Sequence, residues 1–201
     1  MSSVSRIQRS LTLEEFLALP EEEPSLEFIN GRIEAKVSPQ QKHSVIQVRL
    51  GDSLNRYAEP AEKGFAFSEL RCTFAGRSIV PDIVFLLVSH ICTDAQGEIL
   101  NEAFLVPDIH IEIISPDQSA KSAREKLVHS TENGCSLGWL IDPEKKRVEV
   151  YRPSQPAESL AFDGVLDGEP VLPGYRLPVA TVFGWLRFPR PERPTTGADP
   201  A

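Results

Sequence analysis

Apolar residues recur at helical or strand spacing from about residue 11 to residue 186. Thr12 followed by Glu15 forms a capping box for a short helix over 13–19, closed by Pro20 and the acidic Glu21–Glu23. Asn30-Gly31 is a two-residue hairpin turn between expected strands at 26–29 and 32–37. Ile46, Leu50, Leu54 and Tyr57 form an apolar stripe on a helix over 41–57, with His43 at its head. Strands are expected at 65–74, 79–88 and 109–114, and Ser115-Pro116 breaks the last. A helix over 119–133, stopped by Asn133-Gly134, is followed by a strand at 139–141. A further strand at 147–151 pairs with it as a hairpin. This order predicts an α/β (α+β) fold: a mixed sheet flanked by helices. One domain over 11–186 is expected, after a flexible arm at 1–10 and before a disordered, proline-rich tail at 187–201.

Two strands break their own pattern. In Asp108-Ile109-His110-Ile111-Glu112-Ile113-Ile114 the odd-numbered isoleucines face one way, and Asp108, His110 and Glu112 the other. So apolar a strand is normally covered on both faces. A carboxylate there costs free energy unless it is paired or binds a metal. Asp82 likewise interrupts the apolar run 79–88, directly after Pro81, which cannot donate a ladder hydrogen bond. Each acid alone has a plainer reading, as a solvated strand end. Two such acids on core strands favour a site, and oxygen ligands of this kind suit a hard cation. Lys126 borders the small and apolar side of the following helix, formed by Ala123, Leu127 and Ser130, so its ammonium can reach the sheet. Taken alone it reads as a surface lysine paired with Glu125 or Glu132. Glu27, between Leu26 and Phe28, and His43 carry little information without partners.

Composition narrows the function classes. The net charge of -8 argues against nucleic-acid binding through a broad basic surface, and leaves a local cleft or bound metal ions. The three cysteines, Cys72, Cys92 and Cys135, contain no CxxC pair, so a zinc site of usual spacing is not expected. No apolar run is long enough for a membrane span, and no signal peptide pattern opens the chain, which makes a cytoplasmic protein the expectation. The absence of a GxSxG elbow argues against Ser/His hydrolase chemistry.

These residues resemble the Uma2 family of restriction-endonuclease-like proteins, within the PD-(D/E)xK nuclease superfamily, over roughly residues 11–185. The matching pieces are LEEFL at 13–17, LEFINGRI at 26–33, Ser38-Pro39 with His43, VPDIV at 80–84, EIISP at 112–116, Glu125-Lys126-Leu127, Asn133-Gly134 and WLIDP at 139–143. The resemblance implies a restriction-endonuclease-like fold, with Asp82 and Glu112 as the acidic pair. The standard lysine position two residues after Glu112 is Ile114, and Lys126 on the next helix matches its replacement. Glu27 and His43 match two further polar positions of the family's site. Also implied are Mg²⁺ (or Mn²⁺) held by Asp82, Glu112 and the Ile113 carbonyl, DNA as substrate, and a homodimer, as for many nucleases of this fold. The chain departs from the family at Ser122, Ser130 and Leu137. Those departures, with the acidic charge, support the alternative of a catalytically inactive binding or regulatory module on the same fold.

Overall fold

Pro81 and Asp82 turn the chain from one β-sheet into another, and the fold is organised around that corner. The computed structural model describes residues 11–20, 22–116 and 119–189. The expected arm at 1–10 and the tail from 190 lie outside the described residues. The capping box at Thr12 opens α1 (Leu13–Leu17). The Asn30-Gly31 turn, with both residues at positive φ, joins β1 (Leu26–Ile29) to β2 (Arg32–Ala35). After α2 (Gln41–Ala58) come β3 (Gly64–Ser68), β4 (Cys72–Phe74), β5 (Arg77–Ile79), β6 (Ile83–Leu87) and β7 (Ile109–Ile113). Then follow α3 (Ala120–Glu132), β8 (Leu137–Asp142), β9 (Arg147–Tyr151), β10 (Glu158–Leu160), β11 (Val165–Asp167), β12 (Arg176–Pro178) and α4 (Val179–Gly184).

Two expected strands divide. The run 65–74 becomes β3 and β4, and the run 79–88 becomes β5 and β6. In the second case apolarity continues, but Pro81 has no N–H for a ladder and the chain changes sheet. β5 belongs to a four-stranded sheet ordered β2-β1-β5-β4, and β6 to a six-stranded sheet ordered β10-β9-β8-β7-β6-β3. In the larger sheet only β7 and β8 run parallel, and α3 is the crossover such a pair requires.

β7 is buried on both faces. Its isoleucines pack with Ile46, Leu50 and Leu54 of α2 and Val182 and Phe183 of α4 in the main core. Its opposite face carries His110 and Glu112 towards α3, whose Ala123 and Leu127 cover Leu140 and Tyr151. β3 is an edge strand, but the Asn55 side chain of α2 accepts from the Ala66 N–H and donates to its carbonyl, blocking that edge. Cys72 and Cys135 are buried free thiols, pushed up to about 12 chiefly by burial, whereas Cys92 is exposed.

On β9, Glu149 accepts two bonds from Arg124, at 2.7 and 2.8 Å, and one from Tyr151 Oη at 2.8 Å. The Arg124 hydrogen bonds outweigh burial and lower the carboxyl to about 2. A group lowered on folding contributes stability above its unfolded value and loses it as pH falls through the folded one. Glu149→Gln is therefore expected to cost about 1 kcal/mol at pH 7, the scale of a partly solvated pair. The gap from the parent in thermal melts should close as pH falls from 4.5 to about 2.

Candidate active site

The corner leaves backbone groups that no strand can pair, and side chains satisfy them. The Val80 N–H donates to Glu27 Oε1 at 2.7 Å, and the Val80 carbonyl accepts from Lys36 Nζ at 2.6 Å. The Asp82 carbonyl accepts from Gln47 Nε2 at 2.9 Å and from the Glu69 N–H. Buried main-chain groups need such partners, so the corner is built from the same residues that hold the acids.

Asp82 Oδ2 accepts from the Ile113 N–H at 2.7 Å and lies 3.0 Å from His43 Nε2. Asp82 Oδ1 lies 2.8 Å from Lys36 Nζ. Glu112 Oε1 lies 2.8 Å from Lys126 Nζ and 2.9 Å from His110 Nε2. The other ring nitrogen of His110 contacts Ser130 Oγ at 2.7 Å. Lys126 also holds Glu27 Oε1 at 3.1 Å. Glu112 Oε2 is buried and has no hydrogen-bond partner among the described residues, and neither has His43 Nδ1.

All five residues expected from sequence thus meet: Asp82, Glu112, Lys126, Glu27 and His43. Lys126 pairs with Glu27 and Glu112, and it is Lys121 that takes Glu125. His43 touches Asp82, and Glu27 is held by Val80 and Lys126. Ile113 meets Asp82 through its N–H. Lys36, Gln47 and His110 complete the site. Only His110 had a signal, on the same strand face as Glu112. Lys36 joins Asp82 across 46 positions of chain with no periodic pattern to mark it.

Asp82 is 2% exposed, Glu112 0% and Lys126 2%. Burial works to raise the Asp82 carboxyl, but the His43 hydrogen bond and the Lys36 ammonium outweigh it and hold the group well below the usual carboxylate range. Burial and the neighbouring Asp82 charge also act to raise Glu112, and the Lys126 charge with the His110 bond prevails to lower it. Burial opposes the charge on Lys126, and Glu112 and Glu27 sustain it. Both acids are therefore ionised at neutral pH.

Asp82, Glu112 and Glu27 lie against the ammoniums of Lys36 and Lys126, with His43 and His110 also in contact with the two acids. A buried uncompensated charge is costly. The carboxylate oxygens and the buried Glu112 Oε2, unpartnered among the described residues, together fit a hard divalent cation. Among the described residues no ready-made group of three or more His, Cys, Asp or Glu converges, and Lys36 and Lys126 each lie 2.8 Å from one of the two acids. Two hollows flank the site. One, of about 830 Å³, is lined by Gln47, Asn55, Phe67, Arg71 and Val80. The other, of about 560 Å³, is lined by Gln40, Lys42, His43, Ile114 and Pro143.

A mixed sheet that presents an acid at a Pro-Asp corner, a second acid on the next strand and a lysine from the crossover helix defines a restriction-endonuclease-like fold. The chain belongs to the Uma2 family, whose sequence model, described as "Putative restriction endonuclease", matches residues 13–180. Among solved structures it is similar to a crystal structure described as a putative nuclease belonging to DUF820 from Anabaena variabilis. That likeness has 41% sequence identity and a TM-score of 0.85, and covers 88% of this chain and 99% of the other. No curated protein matches. None of the helices among the described residues is long and apolar enough to cross a membrane.

Proposed function

We propose that the protein is a metal-dependent endonuclease that hydrolyses DNA phosphodiester bonds at the Asp82–Glu112 site. One observation carries the reading: Glu112 Oε2 is buried and, among the described residues, has no hydrogen-bond partner, while Oε1 of the same carboxylate is fully engaged. The family description and the nuclease likeness support the reaction class. Asp82, Glu112 and the Ile113 carbonyl would hold Mg²⁺, with Mn²⁺ as a substitute. When bound, such an ion would supply an acidified water and offset charge on the phosphate.

The chain's own residues do the rest. Lys126 and His110 both hold Glu112 Oε1, which fixes the carboxylate and leaves Oε2 free. His43 and the Ile113 N–H fix Asp82 Oδ2 in the same way. Lys126 is placed to orient the attacking water or to offset negative charge developing on the phosphate. Glu27 holds Lys126 and the corner, so its role is positional. The flanking hollows supply room for the nucleic-acid backbone, and a bound ion supplies positive field that an acidic chain lacks. A homodimer in the cytoplasm completes the proposal.

A second reading is a catalytically inactive binding module. The ion-paired state of the site favours it, since both acids already have ammonium partners. Nicking of supercoiled plasmid DNA with Mg²⁺ separates the two. The parent should cut, and Glu112→Gln should be slower by about 100-fold or more, the scale of losing one charge-stabilising group. Equal rates for the two proteins, or no cutting by the parent, would favour the inactive module.

A further inference from the structure

We propose that Lys36 is a tethered counter-ion, whose ammonium occupies the cation position at Asp82 and has to withdraw before a divalent ion binds. This rests on the metal-dependent reading of the site and adds how that site is guarded.

The acceptor inventory locates the position. Asp82 Oδ2 is taken by the Ile113 N–H and His43. Among the described residues, Oδ1 meets only Lys36, at 2.8 Å. Glu112 Oε1 is taken by Lys126 and His110, and Oε2 is open. A cation held by both acids would find Glu112 Oε2 without a partner among the described residues and Asp82 Oδ1 held by Lys36. An ammonium on a flexible stem is a compact point charge, suited to such a stand-in.

The two lysines differ in what it takes to move them. Lys126 stands on the 13-residue α3, is 2% exposed, and holds both Glu27 and Glu112. Lys36, its side chain 9% exposed, follows β2, an edge strand whose four residues are all exposed. It holds one carboxylate and one carbonyl. Its withdrawal strips a partner from Val80 and Asp82 and breaks one ion pair, where Lys126 would break two.

Charge gives the same direction. A divalent ion added beside both ammoniums would meet repulsion from Lys36 and Lys126 at Asp82 and Glu112. Withdrawing Lys36 removes one of those two charges.

Two measurements test this. First, in the parent protein, reductive methylation followed by peptide mass spectrometry reads the accessibility of each lysine with and without Mn²⁺. Lys36 should label at least threefold faster with Mn²⁺ at saturation, while Lys126 stays protected. An unchanged Lys36 rate at a saturated site overturns the proposal. Second, calorimetry with Mn²⁺ should show Lys36→Met binding at least tenfold tighter than the parent, and Lys36→Gln serves if the first variant does not fold. Equal or weaker binding overturns the proposal. If the parent binds Mn²⁺ at a site that Asp82→Asn removes, and Lys36 has no effect, the Lys36 proposal alone falls. If neither the parent nor the Lys36 variants bind Mn²⁺, the metal-dependent reading falls with it.

Discussion

Lys126→Met is expected to destabilise the protein by about 3–5 kcal/mol, the cost of breaking a buried ion pair from one side. A typical domain has about 5–15 kcal/mol in total, so much of the margin would go. Methionine keeps most of the volume, and the loss is therefore electrostatic. Glu112, fully buried, and Glu27 would each lose their ammonium partner while Asp82 stays nearby. The double variant Glu112→Gln/Lys126→Met removes one stranded charge and should recover part of the loss. Urea denaturation of the parent, both single variants and the double variant gives the coupling directly. A cost below about 1 kcal/mol for Lys126→Met, the range of a surface pair, would show that Lys126 is not paired as described.

Asp82→Asn is expected to abolish metal-dependent cleavage and to cost less stability than Lys126→Met. The asparagine carbonyl can still accept a bond, but its NH₂ group meets donors from Lys36, His43 or the Ile113 N–H. One unmet buried group of this kind costs about 1–3 kcal/mol. Cleavage should fall by about 100-fold or more, because the charge that would hold the ion is gone. Plasmid nicking and thermal melts on the same preparation separate the two effects. Retained cleavage with a normal melt would remove Asp82 from the chemistry.

Much of this site was legible in the sequence because it violates local pattern. Glu112 stood out because it interrupts a strand whose alternate positions are all isoleucine and which is expected to be covered on both faces, and the structure buries it completely. Asp82 stood out because Pro81 marked an irregular strand. That irregularity is larger than the sequence implied, since the chain passes there from one sheet to the other. Apolarity alone cannot show such a corner, because both flanking strands are buried. Lys126 was visible from its place on the helix border, but its partners lie 14 and 99 positions away and depend on the fold. Lys36 left no signal, because β2 is exposed throughout and the residue after it looks like any solvated lysine. β10, β11 and β12 were also missed. Each has three residues, too few to show a period, within a stretch rich in proline and glycine.

Anomalous scattering from crystals soaked in Mn²⁺ shows directly whether Asp82 and Glu112 form one cation site. A single strong peak is expected within coordination distance of Asp82 Oδ1 and Glu112 Oε2, with Lys36 moved away. A saturating soak that leaves this position without a peak, with Lys36 still on Asp82, would contradict it.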